Sequence, residues 1–321
     1  MKMKRFFSLI IFMLLLNGCD DGNLTLETIN FGKAATKSCP SNNIIYRLNE
    51  KEALLLEIPK TVFENEPTTD PKSPKIINID NSTYRLVYRF YDGIVTTNNI
   101  CNTIPPAKPY VIDQWTASSG KIEIVTTAIK TTDATNNSSR ITGYNHNIAF
   151  KDIIFDKEDG TKINKDTLSF GNKITELTNK LPFGFLEEVK QCVTSKQLYN
   201  YINSEALTID NIDSGLIENS ETPLNTPRTA IISSVKNKLT YRLHGGLLSS
   251  SYFCNTTAPT IPSIIEEWDA VDGGIIEVTT IKNGNSSFKH NIILKNVVLK
   301  KGNSNFKLGN NFIYGELITL I

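Results

Sequence analysis

Four cysteines of this chain fall into two pairs with the same spacing. Cys39 lies 62 positions before Cys101, and Cys192 lies 62 positions before Cys254. Cysteine side chains bind metal ions or oxidise to disulfides, but structural zinc sites take their ligands from close pairs such as C-x-x-C. The wide spacing therefore favours two disulfides, Cys39–Cys101 and Cys192–Cys254, over a metal site, and no metal ligand is predicted.

Tryptophan and histidine also recur in pairs. A tryptophan in a β domain can stack on a sugar or another flat ligand, so Trp115 and Trp268 are possible binding residues, with burial in the core as the favoured alternative. His146 and His290 are each followed by Asn-Ile, and we expect both to make structural hydrogen bonds. His244 has no histidine counterpart, since it aligns with a valine, and is not expected to belong to a site that the two halves share.

The sequence lacks the residue patterns of the common catalytic sites. It contains no G-x-S-x-G nucleophile turn, no H-E-x-x-H zinc motif, no phosphate-binding glycine loop and no EF-hand loop. Glu266 and Glu267 come nearest to a carboxylate pair, but adjacent residues of a strand point to opposite faces, so a solvated edge is favoured. No catalytic residue and no cofactor are therefore predicted.

All of these pairs belong to an internal duplication of the chain. The cysteines, the tryptophans and the segments around them are displaced by 153 positions, and at this displacement Gly120 and Ile122 match Gly273 and Ile275. Three matches depart from it: segment 83–86 matches 240–243 at 157, His146 matches His290 at 144, and Gly171-Asn172 matches Gly309-Asn310 at 138. We interpret the departures as loops of different length in the two copies.

The pattern within each copy is that of short strands joined by polar turns. Tyr84, Leu86, Tyr88 and Phe90 alternate with other residues at a period of two, which is typical of a half-buried strand. The prediction is a mainly β chain with two tandem homologous domains, β-sandwich-like or partly open barrels, over 38–182 and 183–321. A short helix is expected around 44–54 and again around 195–207.

The residues that the copies share are expected to be mainly architectural. We predict a first core lined by Tyr84, Leu86, Ile122 and Ile124, and a second core lined by Tyr241, Leu243 and Ile275. Because loops on a rigid scaffold carry binding more often than cores do, partner recognition is expected in segments that differ between the copies. These are the Pro-containing loop 64–74, the longer segment 131–144 and the turn 86–101.

Composition limits the class of partner. The chain has 321 residues, with 34 Lys and Arg against 33 Asp and Glu, which gives a formal net charge of +1. This balance leaves no positive field to hold nucleic acid. Three histidines in the whole chain also leave little scope for imidazole chemistry. The length suits two globular domains.

The first nineteen residues have the layout of an export signal. Lys2, Lys4 and Arg5 precede an apolar run over 6–16, about half the length that a membrane span requires. The run ends in Leu16-Asn17-Gly18-Cys19, which resembles the lipobox of bacterial lipoproteins. This resemblance implies a signal peptide over 1–18, cleavage before Cys19, acylation of Cys19 and a tether over 19–37.

The resemblance also implies a location in the cell envelope. Exported cysteines lie in an oxidising compartment, where disulfides persist. We expect a lipid-anchored protein, at the outer membrane of a Gram-negative bacterium, whose partners are the membrane and a glycan or envelope protein. Asp166-Thr167-Leu168 resembles the acceptor motif of Bacteroidetes-type O-glycosylation. The expected function is a binding or structural module; an envelope hydrolase acting on glycan or peptide, and a subunit of an envelope assembly, are the alternatives.

Overall fold

The computed structural model describes residues 28–177, 179–186 and 188–321. The predicted signal peptide, the lipid site Cys19 and the first part of the tether lie outside the described residues. Residues 28–34 belong to a compact unit of their own, in which Ala34 donates its N–H to the carbonyl of Phe31. The second compact unit runs from Ala35 to Ile321. In the part of the chain that is described, no helix is both long and apolar enough to cross a membrane.

Strands make up 52% of the structure and helices 5%, and each repeat forms one curled sheet shaped like a half-barrel. The predicted fold class is therefore confirmed. The sheet of the first repeat has eight strands in the order β1-β2-β3-β5-β6-β7-β8, with β4 paired to β6. Its elements are β1 (Lys37–Ser38), β2 (Ile44–Asn49), β3 (Glu52–Glu57), β4 (Lys75–Asn78), β5 (Arg85–Tyr91), α1 (Thr97–Cys101), β6 (Val111–Asp133), β7 (Ser138–Lys157) and β8 (Lys162–Glu176).

The sheet of the second repeat has eleven strands, because the strands that correspond to β6, β7 and β8 are each broken in two. Its order is β12-β15-β16-β19-β9-β10-β11-β13-β14-β17-β18. Its elements are β9 (Glu188–Gln191), β10 (Leu198–Ile202), β11 (Glu205–Asp210), β12 (Arg228–Ile231), β13 (Lys238–His244), β14 (Ile264–Ala270), β15 (Ile275–Asn283), β16 (Ser287–Lys295), β17 (Val298–Lys301), β18 (Ser304–Lys307) and β19 (Asn311–Leu320).

The two sheets close differently. In the second repeat β19 runs parallel to β9, with Leu317 beside Val189. The last strand of this repeat therefore pairs with its first strand. Among the described residues of the first repeat, no ladder joins β8 to β1. A side-chain hydrogen bond from Lys173 Nζ to Ser38 Oγ, at 2.9 Å, spans that gap instead.

The two segments that were expected to contain helices are hairpins. Residues 44–54 hold β2 and the start of β3, and residues 195–207 hold β10 and the start of β11. Their turns contain Glu50 and Asn203 with φ of 49° and 51°, a left-handed conformation that an α-helix does not accommodate. The expectation was wrong because β3 is buried on both faces, so no alternation of polar and apolar residues marks it as a strand.

Strand pairing corrects the correspondence between the copies. Tyr88 pairs with Leu54 and Trp115, and Tyr241 pairs with Leu207 and Trp268. Tyr88 is therefore the counterpart of Tyr241, at the displacement of 153 that the cysteines have. The match of 83–86 with 240–243 is wrong, and no four-residue insertion separates these strands.

Two further matches shift by a few residues. Ile79 donates its N–H to the carbonyl of Gly120 and Ile232 donates to that of Gly274, so the second repeat has one extra residue before β15. A one-residue slip moves a side chain to the other face of a sheet. Ile276 rather than the predicted Ile275 is accordingly buried. Likewise Gly171 pairs with Ile148 and Gly315, not Gly309, pairs with Ile292.

The remaining core predictions agree with the observed burial. Leu86, Ile122 and Ile124 are buried in the first repeat, as are Tyr241 and Leu243 in the second. Tyr84 is only half-buried because it lies before the start of β5.

Candidate functional site

The long hairpin of β6 and β7 joins the first repeat to the second. Thr126 and Thr280 are equivalent residues 154 positions apart, whereas His146 and His290 are 144 apart, so this hairpin is ten residues longer in the first repeat. Its far end carries Ile141 and Tyr144, which are buried in the core of the second repeat. The two repeats thus share part of one core.

Arg140 fastens the hairpin to the second repeat. Its guanidinium donates to the carbonyl of Lys307 at 3.0 Å and lies 4.6 Å from the ring centre of Phe183 and 5.4 Å from that of Phe306. Such cation–π contacts are strongest where the cation is desolvated, and burial lowers the pKa of Arg140. Much of the segment 131–144, which we expected to recognise a partner, is therefore engaged by the chain itself.

The loop 64–74 also contacts the second repeat. Asn303 donates its side-chain amide to the carbonyl of Pro67 and to the hydroxyl of Thr69, both at 3.0 Å. The backbone N–H of Asn303 donates to Glu66 at 3.3 Å. This loop remains largely exposed on its other side, so its role toward an external partner stays a prediction.

A cavity of about 320 Å³ lies between the repeats, within the size range of small-molecule sites. We call it the inter-repeat cavity. The hairpin end, the loop 64–74, the linking segment and the strands β14, β17 and β18 supply its walls. It is lined by Asn65, Glu66, Ile141, Tyr144, Leu177, Asn179, Leu181, Glu266, Trp268, Lys301 and Ser304.

Acidic, basic and hydroxyl groups converge in this cavity. Lys301 forms a close ion pair with Glu266, whose other oxygen accepts from the amide of Asn179 at 3.4 Å. The hydroxyls of Tyr144 and Ser304 lie 2.8 Å apart. Burial raises the pKa of Tyr144, so its hydroxyl stays protonated and can donate. The cavity can therefore bind a small ligand with both polar groups and an apolar face.

The two tryptophans differ in one hydrogen bond. The Nε1–H of Trp115 donates to Asp113 at 2.7 Å. Glu266 occupies the equivalent position in the second repeat, but it is held by Lys301, and the Nε1–H of Trp268 has no partner among the described residues. A buried donor without an acceptor costs free energy, so the inter-repeat cavity lies beside an unsatisfied group that has no equivalent at Trp115.

Both tryptophans are 4% exposed. Trp115 packs 4.5 Å from Tyr88, and Trp268 packs 5.1 Å from Phe306, measured between ring centres. This burial is what core packing requires. Trp268 also lines the inter-repeat cavity, so a binding role for this residue stays a prediction.

The histidine pair belongs to two matching hydrogen-bond relays. In the first repeat, Thr126 Oγ1 lies 2.9 Å from His146 Nδ1, and His146 Nε2 lies 2.9 Å from Thr175 Oγ1, which donates to Asn65 Oδ1. The second repeat repeats every member of this relay at similar distances, with Thr280, His290, Thr319 and Asn219.

The relay assigns the protonation state of both histidines. A threonine hydroxyl carries one proton, and Thr175 gives its proton to Asn65, so Thr175 accepts the proton of His146 Nε2. His146 Nδ1 then accepts from Thr126. Burial lowers the pKa of His146 and of His290 to about 4, which keeps both rings neutral at pH 7. The structural role that the sequence predicted fits this geometry.

Both predicted disulfides are present, which confirms their pairing. The Cα atoms of Cys39 and Cys101 are 5.3 Å apart and those of Cys192 and Cys254 are 5.2 Å apart. Each disulfide fastens a loop over the outer face of its sheet. Among the described residues, no cluster of His, Cys, Asp and Glu is placed to hold a metal ion.

The adjacent acids of β14 diverge as predicted. Glu266 faces the inter-repeat cavity, and Glu267 accepts from Arg242 Nε at 2.6 Å elsewhere. The expected solvated edge is wrong for Glu266, which is half-buried and paired with Lys301.

Sequence reasoning selected the segments 64–74 and 131–144, which supply the cavity's residues from the first repeat, but it did not single out these residues or predict that they meet Glu266. Asn65, Glu66 and Tyr144 are far from Glu266 in the sequence, and only the packing of the long hairpin brings them together. The signal in the sequence was the ten-residue excess of that hairpin, which marked the segment 131–144 but not its contact with the second repeat. An excess of this size within an otherwise matched pair of copies marks a segment with a separate task.

Comparison with models of known protein families, with curated proteins and with solved structures gives no match. What this chain does must therefore be inferred from its own geometry.

Proposed function

We propose that the chain is a lipid-anchored protein of the cell envelope that binds a small ligand in the inter-repeat cavity. The lipobox at Cys19 and the export signal before it support the location. The binding role is supported by one observation above all. A cavity of about 320 Å³ gathers Glu266, Lys301, Tyr144 and Ser304 beside an unsatisfied Trp268 donor.

The ligand that suits this cavity carries hydrogen-bonding groups on an apolar body. Ile141, Leu177 and Leu181 offer apolar contacts on the side of the first repeat and the linking segment. Lys301 and Tyr144 can donate, and the carboxylate of Glu266 can accept. Fragments of envelope glycan or of peptide have this mixture of surfaces, and the adjacent ion pair favours them over purely apolar molecules.

Titration with soluble peptidoglycan fragments, followed by calorimetry, tests the proposal. We expect saturable binding that Glu266→Gln weakens by at least tenfold. Glu267→Gln is the matched control, since the neighbouring carboxylate binds Arg242 outside the cavity, and it should bind like the wild type. Absence of saturable heat with any fragment, or equal effects of the two substitutions, would contradict a binding role for this cavity.

A hydrolase remains the second candidate because two carboxylates, Glu66 and Glu266, line the same cavity. A pair of carboxyl groups across a cleft is the usual equipment for cleaving glycosidic bonds. Glu266 is, however, held by Lys301. Incubation with glycan strands and peptides, with release of products followed by mass spectrometry, separates the two. Cleavage that Glu66→Gln abolishes would establish the enzyme and displace the binding module.

The anchor is tested by labelling cells with an alkyne fatty acid. The wild-type chain should be labelled and Cys19→Ser should not, because the lipid is attached through this cysteine in the lipoproteins that the signal resembles. Equal labelling of both proteins would remove the anchor from the proposal.

A further inference from the structure

Each repeat carries a cap, which is the loop that its disulfide fastens over the outer face of the sheet: 92–109 in the first repeat and 245–262 in the second. The space beneath the first cap is filled by apolar side chains. Leu55, Val87, Tyr91, Val95 and Ile100 are buried there together with Cys39. Tyr91 also leaves its hydroxyl without a partner.

The second repeat keeps an apolar cluster around its cap, with Tyr199, Ala206 and Phe253, but two of the positions beneath the cap carry polar side chains. Tyr46 pairs with Leu55 and Tyr199 pairs with Thr208, so Thr208 replaces Leu55. Tyr91 donates its N–H to the carbonyl of Lys51, and His244 donates its N–H to the carbonyl of Ser204, which is the equivalent position. Both residues also lie next to an irregularity in the ladder. His244 therefore corresponds to Tyr91 and not to Val87, with which the sequence aligned it.

A second cavity, of about 110 Å³, lies beneath the second cap. Gln197, Ala206, Thr208, Arg242, His244 and Tyr252 contribute to its lining. It is separate from the inter-repeat cavity, with which it shares no lining residue. We call it the cap cavity.

Within the part of the chain that the structure describes, two buried polar atoms of the cap cavity have no hydrogen-bond partner: Thr208 Oγ1 and His244 Nε2. Both residues are 2% exposed. His244 Nδ1 lies 3.3 Å from the carbonyl of Ser204, to which only a protonated nitrogen can donate. The Nε2 atom is therefore an acceptor. Burial, with the nearby Arg242, lowers the pKa of His244 and keeps the ring neutral.

We propose that the cap cavity binds the hydroxyl-bearing end of a small uncharged ligand, such as a polyol or a sugar. A hydroxyl can donate to His244 Nε2 and exchange hydrogen bonds with Thr208, which satisfies both orphaned atoms. The Nε–H of Arg242 donates to Glu267, and the guanidinium has further N–H groups that can donate to a ligand. Tyr252, whose ring lies 4.9 Å from that of His244, offers an apolar wall.

An anionic ligand suits the cavity less well. The neutral imidazole presents a lone pair, which repels an anion, and the charge of Arg242 is already balanced by Glu267 at 2.6 Å. The volume also limits the ligand. A cavity of about 110 Å³ is smaller than the 150 Å³ engineered cavity that holds a benzene molecule, so it takes part of a sugar rather than a whole oligosaccharide.

NMR of the histidine side chains tests the assignment, because the chain has only three histidines and the other two are buried in the relays. The probes are glycerol, xylitol and methyl glucoside, with acetate and phosphate as anions. We expect the His244 resonance to shift saturably with at least one uncharged probe, while those of His146 and His290 stay constant.

Substitutions by the residues of the first repeat make matched variants. Thr208→Leu and His244→Tyr should each fill the cap cavity, and in Thr208→Leu the shift of His244 should disappear while the melting temperature rises. His244→Tyr, observed through the Tyr252 resonances, gives an independent check. Thr240→Val is the control: valine is the residue at the equivalent position 87 of the first repeat, and Thr240 does not line the cap cavity. This substitution should leave binding in the cap cavity unchanged, and so should Glu266→Gln in the inter-repeat cavity.

Three outcomes would overturn the proposal. No saturable shift with any uncharged probe would identify an ordinary hydrated cavity. A stronger response to acetate or phosphate would identify an anion site. Unchanged binding in Thr208→Leu would place the ligand elsewhere. None of these depends on whether the inter-repeat cavity binds its own ligand, since Glu266→Gln reports on that cavity separately.

Discussion

Beneath the cap of the first repeat lie Leu55 and Tyr91, and beneath the cap of the second lie Thr208 and His244 on the same backbone. The first arrangement packs apolar side chains together. Among the described residues, the second leaves two buried polar atoms unsatisfied and the first leaves one, the hydroxyl of Tyr91, at a cost of about 1–3 kcal/mol each. The second copy keeps the apolar cluster of Tyr199, Ala206 and Phe253, but it lacks two of the apolar side chains that fill the space beneath the first cap. The difference locates the part of the molecule that is free to serve a ligand.

The comparison also shows what has not diverged. Both repeats keep the Thr–His–Thr–Asn relay, and both place a tyrosine hydroxyl on a glutamate, Tyr88 on Glu52 and Tyr241 on Glu205. These contacts join neighbouring strands and, through Asn65 and Asn219, the loops beside them. The shared contacts mainly serve the structural frame, and the cavities depend on residues that differ between the copies, although the shared Trp268 also lines the inter-repeat cavity. Four predictions test this division, in order of decreasing effect.

Trp115→Ala and Trp268→Ala test the shared frame. Each ring is 4% exposed, so each substitution should lower the free energy of unfolding by about 3–5 kcal/mol. Chemical denaturation measures the loss. A Trp268→Ala protein of wild-type stability that no longer binds peptidoglycan fragments would show that this tryptophan serves the cavity rather than the core.

Removal of one disulfide at a time tests the caps. Each bridge closes a loop of 62 residues, and its loss should cost up to about 4 kcal/mol on the chain-entropy model. The pairs Cys39→Ser with Cys101→Ser, and Cys192→Ser with Cys254→Ser, are compared by hydrogen exchange. We expect residues 245–262 to lose more protection than 92–109, because the second cap lies over the cap cavity, whereas apolar side chains fill the space beneath the first. Equal loss in both caps would contradict the contrast.

Acid tests the two relays. The pKa of His146 and His290 is about 4 in the folded chain against 6.5 unfolded. Between these values the unfolded state binds more protons, so stability is complete above pH 6.5 and falls as the pH drops toward 4. The loss should reach about 3 kcal/mol for each histidine. His146→Gln and His290→Gln should each remove a similar part of this pH dependence, and a large inequality would show that the relays are not equivalent.

The smallest effect compares the tryptophan nitrogens. Trp115→Phe removes the hydrogen bond to Asp113, whereas Trp268→Phe removes a donor that has no partner. Trp115→Phe should therefore cost about 1 kcal/mol more than Trp268→Phe. Thermal or urea unfolding of the two single variants measures the difference. A larger cost at Trp268 would mean that its Nε1–H finds a partner in solution.

The fold class and both disulfides could be predicted because they depend on the number and spacing of residues. Cysteine pairs at equal separation and short alternating runs survive any small error in alignment. The prediction that Ile275 lines the core did not survive such an error, because a single extra residue before β15 moves every following side chain to the other face. The match of Tyr84 with Tyr241 failed for a similar reason, because the local sequence of β5 resembles its counterpart at two offsets.

The cavities could be predicted even less. The inter-repeat cavity exists because the end of the long hairpin packs on the second repeat, a contact between residues such as Tyr144 and Ser304 that are 160 positions apart. The cap cavity follows from Thr208 and His244 replacing Leu55 and Tyr91. Thr208 aligns with Leu55 at the displacement of 153, but the match of His244 with Tyr91 could not be recognised until strand pairing fixed the correspondence of β5 with β13.

The extended hairpin of the first repeat also bears on how many such repeats could follow one another. The hairpin reaches forward and places Arg140 against Phe183 and Phe306. The corresponding hairpin of the second repeat, β15 with β16, turns back at once where Asn283 pairs with Ser287. This hairpin is ten residues shorter and has no extension that could pack on another copy. A tandem array depends on contacts between neighbouring repeats. The hairpin of the first repeat makes such a contact with the repeat that follows, and the hairpin of the second is too short to do so. Growth by simple duplication of the second repeat would add a neighbour that lacks the contacts of the extended hairpin.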